Sequence, residues 1–241
     1  MANVIADSLH LLSIDLGSAP SSLRAVLELG RDDIAHWLKR AQAAGAPLAI
    51  VRGPDSVDLY SSEAGRRAAF KPFLESLWSL ARNLEGFDKI KTREAYGHSV
   101  VRHLLRQAAG LESTEHGLSY AGCIAEASAH AALHGTLSPA LIELFQLAST
   151  TADRSETETE IAAPFSTRAS RQIEALSAER IVEEELTAFQ VAAANDQAAR
   201  SSMPAPGSTT YSGYGADEPG SCVRLRVAPF SLAPVSARRS G

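Results

Sequence analysis

The chain has 241 residues, 45% of them hydrophobic and 21% charged, which is enough for one compact domain with an extension and too few for a large two-domain enzyme. A formal charge of -5 argues against broad binding to a phosphate backbone, and an aromatic content of 6% leaves few stacking platforms. Cys123 and Cys222 form no paired spacing, which argues against a zinc ribbon and a disulfide framework and suits a reducing compartment. The N-terminus has no basic stretch ahead of an apolar one, and no apolar run is long enough to span a bilayer, so the expectation is a cytoplasmic protein with no membrane partner.

In chain order, residues 10–16 place Leu12, Ile14 and Leu16 on one face and Ser13 and Asp15 on the other, the period of two of a half-buried strand. Asp32 and Asp33 precede Ile34, Trp37, Leu38 and Ala41, with Gly45 beyond the last turn, and this spacing predicts an amphipathic helix. Residues 47–52 and 56–61 are short apolar runs around Gly53-Pro54-Asp55, a turn tripeptide, and predict a β-hairpin. A second helical stripe, Phe70, Phe73, Leu74, Leu77, Trp78 and Ala81, runs through residues 64–84 with Pro72 inside it.

From there helices prevail. Residues 98–109, 119–134 and 138–152 each show helical spacing, the third opening on Ser138-Pro139 as N-cap and first-turn proline. Ile173, Leu176, Ile181, Val182, Leu186 and Phe189 mark a further helix whose polar face carries Glu183, Glu184 and Glu185. Beyond Asn195 the composition turns to Ser, Pro, Gly and Ala, which cannot offset chain entropy by burial, and predicts a disordered tail over residues 196–241. The fold class expected is α+β: a small mixed sheet with packed helices, then a helical half and a long C-terminal helix.

Several blocks resemble the glutamyl-tRNA reductase family. Ser13-Ile14-Asp15-Leu16-Gly17-Ser18-Ala19-Pro20 with Leu23-Arg24 is similar to its opening strand and turn. Arg102-His103-Leu104 with Ala108-Ala109-Gly110-Leu111-Glu112-Ser113 is similar to its histidine block, and Phe145-Gln146 through Arg154 to Thr157-Glu158-Thr159-Glu160-Ile161 to its Thr-Glu-Thr block. Residues 178–189 resemble the start of its dimerisation region. The resemblance implies a recognition domain over residues 1–161, a spinal, dimerising helix over 165–195, glutamyl-tRNA as partner, and a homodimer or a heterodimer with a full-length reductase. DNA is not an expected partner.

Two departures limit the resemblance. The family's nucleophilic cysteine falls on Pro54, which has no nucleophilic side chain, and its neighbouring arginine falls on Ser56, an unactivated hydroxyl. Arg52 stands close enough in sequence to take over a carboxylate contact. His103 falls on the family's active-site histidine and Ser113 on its Gly-Leu-x-Ser turn, so the candidate substrate-binding residues are Arg52, Ser56, His103 and Ser113, with no confident catalytic residue. Gly117-Leu118-Ser119-Tyr120 replaces a polar segment of the family. No Gly-x-Gly-x-x-Gly occurs, and the dimerisation-like helix follows within 20 residues of Ile161, so no cofactor is expected.

Blander readings stand beside these. His103 without its partner nucleophile suits a helix histidine bonded to a loop. Arg82, Lys89, Lys91, Arg93, Arg102 and Arg106 would form a basic surface for a tRNA end, yet acidic side chains outnumber basic ones over residues 1–161, and Asp153 and Glu156 stand where the family carries basic residues. Glu126, His130 and His134 share a helix face at metal-ligand spacing without a completing ligand, and read as a polar face; no metal is expected. Cys123 reads as a small packed residue, and Cys222, flanked by Arg224 and Arg226, as an exposed thiol. The functional expectation is a non-reducing pseudoenzyme that binds glutamyl-tRNA or a partner enzyme. The alternatives are a glutamyl-transfer enzyme with His103 as base and a regulator forming mixed dimers with a full-length reductase.

Overall fold

The structure, a computed structural model, describes residues 8–17, 19–62, 65–81, 90–112, 120–159 and 168–202. Four strands, β1 (Leu9–Asp15), β2 (Ala49–Arg52), β3 (Ser56–Ser62) and β4 (Lys91–Tyr96), form a sheet of order β2-β3-β1-β4, antiparallel throughout. The helices are α1 (Ser21–Leu27), α2 (Arg31–Ala43), α3 (Arg66–Ala81), α4 (His98–Ala108), α5 (Ala121–Leu133), α6 (Pro139–Glu158) and α7 (Arg168–Ser202). The expected α+β class, with a helical half after the sheet and a long final helix, is what the chain forms. No described helix is long and apolar enough to cross a membrane.

β1 is central, so it is covered on both faces: Leu9 and Leu11 are buried as completely as Leu12 and Ile14. The hairpin is the one read from its turn, closed by the Gly53 N–H donating to Ser56 O at 2.9 Å and tied to β1 by the Leu16 N–H donating to Asp55 O at 2.7 Å. β2 is an edge strand, and α5 packs against it. Just ahead of β2, the Leu48 N–H donates to Thr136 O at 2.9 Å and the Thr136 hydroxyl donates back to Leu48 O at 2.7 Å, so the loop after α5 supplies partners there.

β4 and α1 had no sequence signal. Lys91-Thr92-Arg93-Glu94-Ala95-Tyr96 shows no apolar alternation because β4 is the other edge of the sheet and largely exposed, and pairing to β1 alone makes it a strand. α6 begins with its predicted cap, the Leu141 N–H donating to Ser138 Oγ at 3.3 Å, and runs past residue 152 to Glu158. α7 begins at Arg168 and continues beyond Asn195 to Ser202. Its apolar stripe, Ala178, Ile181, Val182, Leu186 and Phe189, is buried in the chain's own core, where α7 packs on α4 and α6. Residues 196–202, expected to begin the disordered tail, are helical instead, and the rest of that tail, residues 203–241 with Cys222, lies outside the described residues.

Candidate functional site

The register of the sheet builds the site. Ser13 of β1 stands opposite Asp58 of β3 on one side and Arg93 of β4 on the other. Cross-strand partners point to the same face, so the three side chains lie abreast. α4 follows β4 after a single residue, Gly97, and carries His103 and Gln107 on its buried side. Glu112 enters from the turn beyond α4.

His103 is 6% exposed and lies between two carboxylates. Its Nδ1 is 2.7 Å from Glu112 Oε2, and its Nε2 is 3.6 Å from Asp58 Oδ2, an ion-pair distance longer than a hydrogen bond. Burial alone would push the imidazole pKa down, but the close Asp58 and Glu112 carboxylates outweigh it and raise the value to about 9. The same pairing holds both carboxyls below their ordinary range, against burial that would raise them. At neutral pH the centre is therefore carboxylate, imidazolium, carboxylate. The Arg93 Nη2 stands 2.6 Å from the same His103 Nδ1.

Asp58 is fully buried and anchored from three sides. The Ser56 hydroxyl donates to its Oδ2 at 2.8 Å, the Gln107 amide donates to the same oxygen, and Ser13 hydrogen-bonds the carboxylate as well. Gln107 is positioned in turn by the buried Tyr60 hydroxyl, which donates to its Oε1 at 3.1 Å. A charge at full burial costs several kcal/mol unless paired and hydrogen-bonded; the Oδ2 bonds and His103 offset that cost here, while Oδ1 is buried without a geometric hydrogen-bond partner among the described residues.

Above this layer lies a cleft of about 520 Å³. Its lining carries both signs of charge, Asp15 and Asp55 with Lys91 and Arg93, besides His103 and Glu112, and Asp15 and Lys91 stand opposite each other on β1 and β4. Tyr120 closes the hairpin side. It is 1% exposed, bonds Ser56 and the Asp55 backbone, and is pushed up to about 12, chiefly by burial, so its hydroxyl stays protonated.

Of the residues singled out in the sequence, His103 and Ser56 meet at this cleft, together with Lys91 and Arg93 of the expected basic surface. Arg52 does not line it: its Nη1 donates to the Leu29 carbonyl at 2.7 Å, which fixes it to the connection between α1 and α2. Pro54 is exposed at the hairpin turn and does not line the cleft either. Ser113, Arg82 and Lys89 lie outside the described residues. Arg102 and Arg106 are engaged by carboxylates: Arg102 by Glu183 at 3.3 Å, Arg106 by Glu112 at 3.2 Å and by Glu179. Glu126 pairs with Arg31 at 3.0 Å and stands 4.0 Å from His130, and among the described residues no group of His, Cys, Asp and Glu is placed to hold a metal ion. Cys123 is half-buried, and burial raises its thiol pKa.

Asp58, Glu112, Gln107 and Tyr120 were not recognised as site residues. A signal existed for Asp58: an acid inside the run Val57-Asp58-Leu59-Tyr60 has to be paired if the strand is buried. Nothing local marks the others.

No family model matches the chain, and no curated protein matches it. A solved structure to which it is similar is the glutamyl-tRNA reductase from Methanopyrus kandleri, with a TM-score of 0.49 and 25% identity over 64% of this chain. The chain spans 35% of that protein's length.

Proposed function

We propose that the protein is a non-reducing binding module, a pseudoenzyme whose cleft takes an aminoacyl group, the glutamyl end of glutamyl-tRNA being the class that the sequence blocks suggest. The observation that carries this reading is that one cleft is lined by charges of both signs, Asp15 and Asp55 together with Lys91 and Arg93. A glutamyl ester has an ammonium group at one end and a carboxylate at the other, and each finds an opposite charge. The centre is suited to holding such a group rather than attacking it. Pro54 stays outside the cleft, and His103 already carries its proton at neutral pH, which counts against the transfer reading with His103 as base.

The test is calorimetric titration with L-glutamic acid α-methyl ester, which keeps the ammonium, the side-chain carboxylate and the ester. Saturable binding that weakens tenfold or more in Lys91→Ala and in Asp55→Asn is expected, while glutarate monomethyl ester, lacking the ammonium, binds much more weakly. Equal binding of the two esters removes the reading. Filter binding of glutamyl-tRNA against uncharged tRNA extends the test to the whole ligand, with a preference for the charged form expected at moderate salt.

A pairing role for α7 is kept as a second reading because Leu176 and Val191 are 70% and 53% exposed on it. A homodimer, or a mixed dimer with a full-length reductase, would cover them. Sedimentation with and without Leu176→Glu measures this; a species of unchanged mass in the variant would move the interface elsewhere.

A further inference from the structure

The Arg93–His103–Glu112 cluster has a second side. There a cleft of about 750 Å³ opens between β4, α4 and α7, sharing those three residues with the first cleft and adding Arg102, Arg106 and, from α7, Gln190. Its cations differ in how far they are used. Arg106 is spent on Glu112 and Glu179. Arg102, 54% exposed, gives only Nη2 to Glu183, at 3.3 Å. Among the described residues Arg93 forms no ion pair with a carboxylate, and its Nη2 lies 2.6 Å from His103 Nδ1. Glu112 is near enough for Arg93 to lower its pKa, but its two oxygens are already taken by His103 and Arg106.

Arg93 and Arg102 both line this cleft and both are exposed, so their guanidinium groups are open to an anion arriving from solvent. The geometry points to a binding site for a phosphomonoester in this second cleft, its phosphate held between Arg93 of β4 and Arg102 of α4. A carboxylate offers two coplanar oxygens and is satisfied by one arginine fork. Two guanidiniums reaching from different elements suit a tetrahedral dianion, whose oxygens diverge. The cleft has room for more than the phosphate itself, so the ligand is a phosphorylated small molecule. This inference does not rest on the aminoacyl reading, because Arg102 does not line the first cleft.

Titration with inorganic phosphate at fixed ionic strength, with acetate as the comparison, tests it. One phosphate is expected to bind saturably, at least tenfold tighter than acetate. Arg102→Ala should weaken it tenfold or more, and Glu183→Gln, which releases the Arg102 donor, should tighten it. Lys91→Ala, which lines only the first cleft, should change it less than twofold, and the glutamate ester should bind Arg102→Ala as it binds the unaltered protein. Absence of saturable phosphate binding overturns the proposal, as do acetate binding as tightly as phosphate, weakening in Glu183→Gln, or a loss in Lys91→Ala equal to that in Arg102→Ala, which would place the anion in the first cleft.

Discussion

The Tyr120 ring occupies the space that a side chain on residue 53 would need: a Cβ on Gly53 would fall 2.1 Å from Tyr120 Cε1 and 2.6 Å from its hydroxyl. Tyr120, which lines the first cleft, is thus seated against a glycine that leaves room for its ring. Gly53→Ala is expected to destabilise the protein by about 1–3 kcal/mol, the range for overpacking a filled core, and to weaken ligand binding in the first cleft. Urea denaturation of Gly53→Ala, Tyr120→Ala and the double variant measures the coupling. The double variant should be more stable than the sum of the single losses predicts, and simple additivity would show that the contact is not what fixes residue 53.

His103 ties β3, α4 and the turn beyond α4 through charge, so stability depends on its proton. Its folded pKa of about 9 lies above the ordinary value of 6.5, and the stabilisation is complete below about pH 6.5 and lost as pH rises through 9. Asp58 and Glu112 act in the opposite direction: their depressed pKa values favour the fold above the ordinary carboxylate range, and that contribution is lost as pH falls through it. Maximum stability is expected near pH 5–6.5, with a loss on the order of a few kcal/mol between there and pH 9.5. A thermal series in pH checks this, and His103→Gln should flatten the alkaline side. An NMR titration of His103 in Asp58→Asn should give a pKa well below that of the unaltered protein.

The docking of α7 combines an apolar stripe with a charged fringe of unequal weight. Arg154 of α6 bonds Glu158, Glu184 and Glu185, yet these are partly exposed groups, and exposed pairs contribute about 0–1 kcal/mol. Ile181 and Val182 are fully buried, and truncating an isoleucine in such a position costs about 2–5 kcal/mol. Hydrogen exchange along α7 should therefore rise far more in Ile181→Ala than in Arg154→Ala. The reverse order would mean that charge holds the helix.

Gly97 sets the angle between the strand that carries Arg93 and the helix that carries His103. It has φ 61° and ψ -134°, a combination outside the ordinary left-handed well and nearly restricted to glycine. Gly97→Ala should cost about 1–3 kcal/mol and reduce binding in both clefts. Gly45, with φ 63° and no neighbouring atom within 4 Å of a Cβ, serves as the control: Gly45→Ala should cost about 1 kcal/mol and leave binding alone.

The amphipathic helices, the hairpin and its turn were legible because their signals are local. Periodicity in Ile34, Leu38 and Ala41, the cap at Ser138 and the tripeptide at residues 53–55 each act within a few residues of chain. His103 and Ser56 were legible as site residues through the blocks around them. β4 was not, since an edge strand with exposed side chains carries no apolar pattern and is a strand only because β1 lies beside it.

Tertiary structure alone decided what surrounds His103. Asp58 lies 45 residues before it, and only the pairing of β1 with β3 and β4 sets that carboxylate beside Ser13 and Arg93 under one helix. It also decided that Arg52 points away to Leu29, because a strand residue faces one side or the other according to register, which pairing sets and composition does not. The charge state of the centre followed the same route: a histidine becomes a fixed cation when two acids from distant segments are buried against it, and burial belongs to the fold.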